Sequence, residues 1–252
     1  MLKTSLNKFL FIFPLLFLIV SCSSINSNQS RIWDPIEPLN RTVFSFNMTI
    51  DTYALEPIAK GYNYVVPEFV KKSLRNHFNW LSTPVSAANL LLQGKYEDTY
   101  VSMIDFSINA LTLGLINLTG EKEIDKEDFD QTLASLGSSS GPFFVIPFAG
   151  PTTLRGIGGT IIDGVIDPLN LIGTSEITKI KAVELPVKTI DSRALYMNEI
   201  NKLKEDSLDP YALFRSIYFQ RLQAKILDNE FDDKDETVTN KGAIDAFFMQ
   251  NQ

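Results

Sequence analysis

Gly141-Pro142-Phe143-Phe144-Val145-Ile146-Pro147-Phe148-Ala149-Gly150-Pro151-Thr152 is apolar almost throughout, yet proline recurs along it. Proline fixes φ and removes a backbone donor, so the stretch reads as neither a helix interior nor a regular central strand. Gly137-Ser138-Ser139-Ser140 opens a turn into it. Outward from this segment the patterns are helical. Upstream, Phe129 to Leu136 makes a short helix behind the charged stretch Glu121 to Asp130. Lys95 to Leu118 is long and apolar but carries Asp105 and other polar residues, which predicts an amphipathic or buried helix and not a membrane span. Pro67 starts a helix with Phe69, Val70, Leu74, His77, Phe78 and Leu81 at helical spacing; Pro84 breaks it and opens another with Val85, Ala88, Leu91 and Leu92 inside. Asn40 to Leu55 places Val43, Phe44, Asn47, Ile50 and Ala54 on one face, and Pro57 follows. Downstream, Leu154 to Ile172 holds Gly156, Gly158, Gly159 and Gly164, with Gly173 just beyond. Small residues let helices approach closely, in a bilayer or in a tight soluble pair, and composition leaves both open. Thr189 to Asp206 and Pro210 to Leu227 read as amphipathic helices. With no β pattern and no repeat of solenoid period, the class is all-α.

The N-terminus reads as a secretory leader. Lys3 and Lys8 precede an apolar run from Phe9 to Val20, and Leu18-Ile19-Val20-Ser21-Cys22 closes it. The run is shorter than the roughly 20 residues of a spanning helix. Cys22 is the only cysteine, so no intrachain disulfide forms, and a thiol at the cleavage point suits thioether attachment of diacylglycerol plus an N-acyl chain. This resembles the lipobox of bacterial lipoproteins. Ser23, in place of the Asp that retains such proteins at the inner membrane, favours the periplasmic face of the outer membrane. The expected organisation is a leader at 1–21, a lipidated tether at 22–32, a helical domain at 33–227 and an acidic tail at 228–252.

Losing the two leader lysines takes the formal charge from −7 to −9, which excludes a nucleic-acid partner because no basic stripe is available for phosphates. Catalytic patterns fail on context. Gly137-Ser138-Ser139-Ser140-Gly141 matches a nucleophile elbow with Ser139 as nucleophile, but a helix precedes it and Pro142 follows. The single histidine, His77, lies upstream, where that hydrolase order needs it downstream. One histidine and one lipidated cysteine make no zinc site, and Asp125, Glu127 and Asp128 lack calcium-loop spacing. Gly156-Ile157-Gly158-Gly159 lacks the third glycine of a dinucleotide fingerprint. The chain therefore reads as no enzyme, with no metal and no cofactor beyond its covalent lipid.

Asp34-Pro35-Ile36-Glu37-Pro38-Leu39-Asn40-Arg41, followed by Phe44-Ser45-Phe46-Asn47, resembles the opening of the MlaA/VacJ lipoprotein family. Further segments agree in order: Asn89 to Lys95; the helix with Phe106, Asn109 and Gly114; Glu127 to Leu133; and Gly141 to Thr152 with Arg155. The resemblance spans Trp33 to Gly173, and more weakly the helices to Leu227. It implies a ring-like bundle of amphipathic helices in one membrane leaflet, with a central channel. It implies as partners a phospholipid, a trimeric outer-membrane porin and a soluble periplasmic lipid carrier of the Mla type. The implied task is to remove phospholipid that has strayed into the outer leaflet and hand it to that carrier; a structural lipoprotein bracing a porin without moving lipid is the alternative.

The physics suits a channel. A charged headgroup crosses hydrocarbon at high cost, and a polar lining lowers it while the tails stay in lipid. Asn40, Arg41, Asn47, Gln93 and Lys95 are the candidates to polarise such a path, with capping or inter-helix hydrogen bonding as the competing role. Gly137 and Gly141 are the candidate hinges of a gate.

Overall fold

The computed structural model describes residues 32–120, 125–168, 170 and 175–227, with backbone alone over 175–182. The leader, Cys22 and its tether to Arg31 lie outside the described residues, as do Gly173, the acidic tail and the segment Ala243 to Met249. The described chain is mostly helical. The helices are α1 (Glu37–Ile50), α2 (Glu56–Val65), α3 (Glu68–Leu92), α4 (Tyr96–Asn109), α5 (Phe129–Ser135), α6 (Leu154–Ile166), α7 (Ser175–Leu195), α8 (Met197–Asp206) and α9 (Pro210–Ile226). Between α5 and α6 lie two short strands, β1 (Phe143–Ile146) and β2 (Gly150–Thr153).

That hairpin corrects the all-α reading. Its strands pair antiparallel, with Phe143 opposite Thr153 and Val145 opposite Pro151. The prolines are tolerated because of where they fall. Pro147 sits in the turn, and Pro151 faces Val145, whose N–H points away from the partner strand to Asn40 Oδ1 at 2.9 Å. Pro151 therefore lacks a donor where the ladder needs none. Phe143 and Val145 share the inner face and join Phe44, Ile200, Leu203, Tyr211, Phe214 and Ile217 in the principal apolar core. Phe44 packs edge-on against Tyr211 with ring centroids 5.6 Å apart. The hairpin is thus pinned between α1, α8 and α9.

Four helix boundaries also differ from the sequence reading. Pro57 does not end the first helix: a π turn, Asp51–Leu55, in which Glu56 N–H reaches back to Asp51 O, carries the chain into α2. The wider turn absorbs the kink that proline would impose. Pro84 lies inside a continuous α3, whose flanking Thr83, Ser86 and Ala87 are buried, so packing holds the helix across it. The helix read over Thr189 to Asp206 breaks at Tyr196, and the one read over Lys95 to Leu118 ends with a 3-10 turn at Ala110–Thr112.

Stops follow local rules. Gly94 and Gly137 both take left-handed φ values, 81° and 84°. Each closes its helix with a paired reverse bond, Lys95 N–H to Leu90 O after α3 and Ser138 N–H to Leu133 O after α5. Asp128 and Gln131 form a reciprocal cap at the start of α5. In α6 the glycines serve contact within the protein: a Cβ at Gly159 would stand 2.6 Å from Asp130 N and one at Gly156 2.8 Å from Thr152 Oγ1, whereas Gly158 and Gly164 face open space.

Candidate functional site

The motif residues fall into hydrogen-bonded groups set inside the helices. Asn40 and Asn47 lie two turns apart on one face of α1 and hold the hairpin. Asn40 Nδ2 donates to Phe143 O at 3.0 Å and to Asp34 Oδ1 at 2.8 Å, and its Oδ1 accepts from Val145 N–H. Asn40 is 1% exposed. Asn47 Nδ2 donates to Ile146 O at 3.0 Å, and its Oδ1 accepts from Phe148 N–H at 2.9 Å. Phe148 has φ 64°, costly for a bulky residue, and Asn47 supports that turn. Arg41 lies beside them, donating through two nitrogens to Asp209 at 3.0 and 2.8 Å while its guanidinium covers the Tyr211 ring at 4.5 Å. Hydrogen bonding from Arg41 pulls the Asp209 carboxyl down to about 2. Both side chains are over two-fifths exposed, so the pair steers geometry more than it adds stability. Tyr211 and Arg215 both donate to Asp34, and burial together with that carboxylate pushes the Tyr211 hydroxyl up.

Gln93 and Lys95 belong to a second group, between α3, α5 and α6. Both donate to Glu127, at 2.9 and 3.0 Å, and Gln131 donates to the same carboxylate at 2.6 Å. Glu127 is 5% exposed. Thr132 donates to Asn89 Oδ1, and Asn89 donates to Asp163 Oδ1 at 2.8 Å. Burial pushes the Asp163 and Asp128 carboxyls up and Lys225 down, and it lowers Arg221 to about 10. The segment between Gly137 and Gly141 is tied by Arg155, whose Nε donates to Asp130 Oδ1 and whose Nη1 donates to Ser138 O, each at 2.6 Å. A Cβ at Gly141 would stand 3.1 Å from Leu154 Cβ. Ser139 sits between a helix and a hairpin, not at a strand-turn-helix junction.

A third group was not anticipated from sequence. Arg193, 2% exposed, donates to Asp51 in the π turn (2.7 and 3.2 Å), to Glu56 Oε2 (3.2 Å) and to Asn201 Oδ1 (2.6 Å). Lys204 adds a bond to Asp51 Oδ2 at 2.9 Å. In the second group one unpredicted member carried a signal: Asp163 is a lone carboxylate in the apolar, glycine-rich run of α6. Among the described residues no group of His, Cys, Asp and Glu is arranged to hold a metal. His77 packs against Phe78 and Trp80, its Nδ1 2.6 Å from Leu113 O.

Beside the apolar core, the distribution of polar and apolar side chains is unusual. Asn, Asp, Glu, Gln, Lys and Arg side chains are buried in these groups while large apolar ones face outward. Tyr64 is 93% exposed, Leu111 82% and Tyr53 80%, and Phe69, Tyr96, Tyr100, Ile161 and Val165 are also exposed. An exposed apolar area of this extent marks a contact with membrane or protein. Among the described residues no helix is long and apolar enough to cross a membrane.

Residues 32–225 match the family model described as MlaA lipoprotein. The chain is 31% identical over 231 residues to the intermembrane phospholipid transport system lipoprotein MlaA of Haemophilus influenzae, which covers 87% of this chain and 90% of that one. It is 30% identical to the protein of the same description from Escherichia coli, over 81% of this chain and 82% of that one. An uncharacterized protein of Rickettsia bellii is 31% identical over 81% of each chain. A chain solved in work on the structural basis for maintenance of bacterial outer membrane lipid asymmetry superposes with a TM-score of 0.68 at 30% identity, covering 77% of this chain and 98% of that one.

Proposed function

The chain belongs to the MlaA lipoprotein family, and from that premise we propose that it serves intermembrane phospholipid transport at the outer membrane, where it maintains lipid asymmetry. As a member of that family it is a transport component and not an enzyme. In this reading it is anchored by lipid on Cys22, lies in the inner leaflet, draws out phospholipid that has reached the outer leaflet, and passes it to a soluble periplasmic carrier of the Mla type. A trimeric porin holds it in place. The observation that supports the reading is the pairing of buried carboxylates, amides and guanidinia with exposed tyrosines, leucines and phenylalanines. A body sitting within one leaflet needs an apolar skin but no spanning helix, whereas a headgroup path needs a polar inside. Asn40, Arg41, Asn47, Gln93 and Lys95 then act mainly by fixing the shape of that path through the hydrogen bonds above. Gly137 and Gly141, both in left-handed backbone, let the segment between them swing as a gate.

The test is outer-leaflet phospholipid in cells lacking this protein, read with an externally added phospholipase. Cleavable phospholipid rises, and the wild-type gene reverses the rise while Cys22→Ala does not. No rise, with detergent resistance intact, favours a structural lipoprotein that braces a porin. In the same assay, Gly137→Ala with Gly141→Ala slows clearance several-fold, and normal clearance removes the gate.

A further inference from the structure

Between α3 and α4 lies a cleft of about 70 Å³, lined by Asn76, Asn79, Thr83, Asp105, Asn109 and Lys126. That is room for roughly five waters. Its walls are built rather than incidental. Trp80 stacks on Phe106 with centroids 5.1 Å apart and donates from Nε1 to Phe106 O at 2.9 Å. Gly114, at φ 70°, lies so close to Trp80 that a Cβ would stand 2.4 Å from Trp80 Cβ. Asn109 Oδ1 accepts from Leu118 N–H at 2.7 Å and so fixes the loop over the cleft.

The charges inside are unusual. Asp105 is half-buried on a helix whose Tyr100, Ile104, Ile108 and neighbouring Leu111 are exposed and apolar. Among the described residues neither Asp105 nor the Asn79 amide makes a side-chain hydrogen bond or ion pair. Across the cleft, Lys126 Nζ donates to Thr83 Oγ1 at 2.8 Å. An acceptor-only carboxylate and an ammonium within one small polar cleft, at the edge of an apolar band, match a ligand that carries both signs.

We propose that this cleft binds the headgroup of an amine-bearing phospholipid, Asp105 accepting from its ammonium while Lys126 and Asn79 donate to its phosphate. The proposal rests on phospholipid being the cargo. Phosphatidylethanolamine satisfies both ends. Phosphatidylglycerol offers no cation to Asp105 and brings a net negative charge towards it, and a trimethylammonium group has no proton to donate.

The experiment uses the full-length lipoprotein in detergent, with short-chain phosphatidylethanolamine and phosphatidylglycerol of identical acyl chains as probes. Wild type prefers phosphatidylethanolamine about tenfold, a single charge-assisted contact's worth. Asp105→Asn abolishes the preference and keeps phosphatidylglycerol affinity, while Lys126→Met weakens both lipids. Equal binding by wild type, or a preference unchanged in Asp105→Asn, overturns the cleft assignment and leaves transport standing. Binding of neither lipid by wild type overturns transport as well. Should Asp105→Asn lose both lipids, Asp105→Glu decides: a retained preference supports the carboxylate's role, and a lost one ends it.

Discussion

Arg193→Ala lowers stability by about 3–5 kcal/mol, because it removes one partner from a buried ion group and strands the rest. Asp51, 4% exposed, keeps only Lys204 among its ionic partners, and Asn201 loses the guanidinium donor to its Oδ1. The guanidinium reaches Asp51, Glu56 and Asn201 at once, a fork that an ammonium cannot copy, so Arg193→Lys recovers little. In detergent the melting temperature falls on the order of 10 °C. The contacts tie α7 and α8 to the π turn, so the loss registers there first, as faster hydrogen exchange over Asp51–Leu55. A melting temperature within a degree or two of wild type counts against the group as a structural tie.

The second large effect is at Asn40, where charge and shape can be separated. Asn40→Ala leaves Val145 N–H and Phe143 O without their side-chain partner, at roughly 1–3 kcal/mol per buried group. Asn40→Asp keeps the shape and is worse near neutral pH. It turns the donor facing Phe143 O and Asp34 Oδ1 into an acceptor and sets two carboxylates side by side. The new carboxyl is then protonated in the folded state more readily than in the unfolded one. A raised folded pKa contributes stability below the unfolded value and loses it as pH rises through the folded one. Asn40→Asp therefore regains stability as pH falls from 7 towards 4, while Asn40→Ala shows no such gain relative to wild type. Denaturant midpoints at a series of pH values check this; parallel profiles for the two variants would mean that Asn40 does not donate to the hairpin.

The parts legible in sequence were those written in neighbouring residues. Helix spacing marked α1, α5 and α9, and it placed Asn47 on one face with Phe44; that Asn40 joins it in holding the hairpin emerged only from the fold. The hairpin was hidden because its prolines forbid a regular strand, and the reason they are harmless is a side-chain bond from a residue 105 positions away. The π turn has no residue pattern of its own, and Arg193 meets Asp51 across 142 positions. Pro84 misled for the complementary reason: local chemistry argued for a break, and packing on both sides of it prevailed. Asn40, Arg41, Asn47, Gln93 and Lys95 could be named from the motifs that carry the resemblance, but the partners of their side chains belong to tertiary structure.

The outward-facing Tyr53, Tyr64, Phe69 and Leu111 bear on temperature. Heat capacity rises on unfolding in proportion to the apolar area that water newly reaches. A protein that already leaves much of that area outside in its folded state has less of it to release. Its free-energy curve is correspondingly flatter, its cold limit recedes, and hydrogen bonds and ion pairs carry a larger share of its cohesion beside the apolar core.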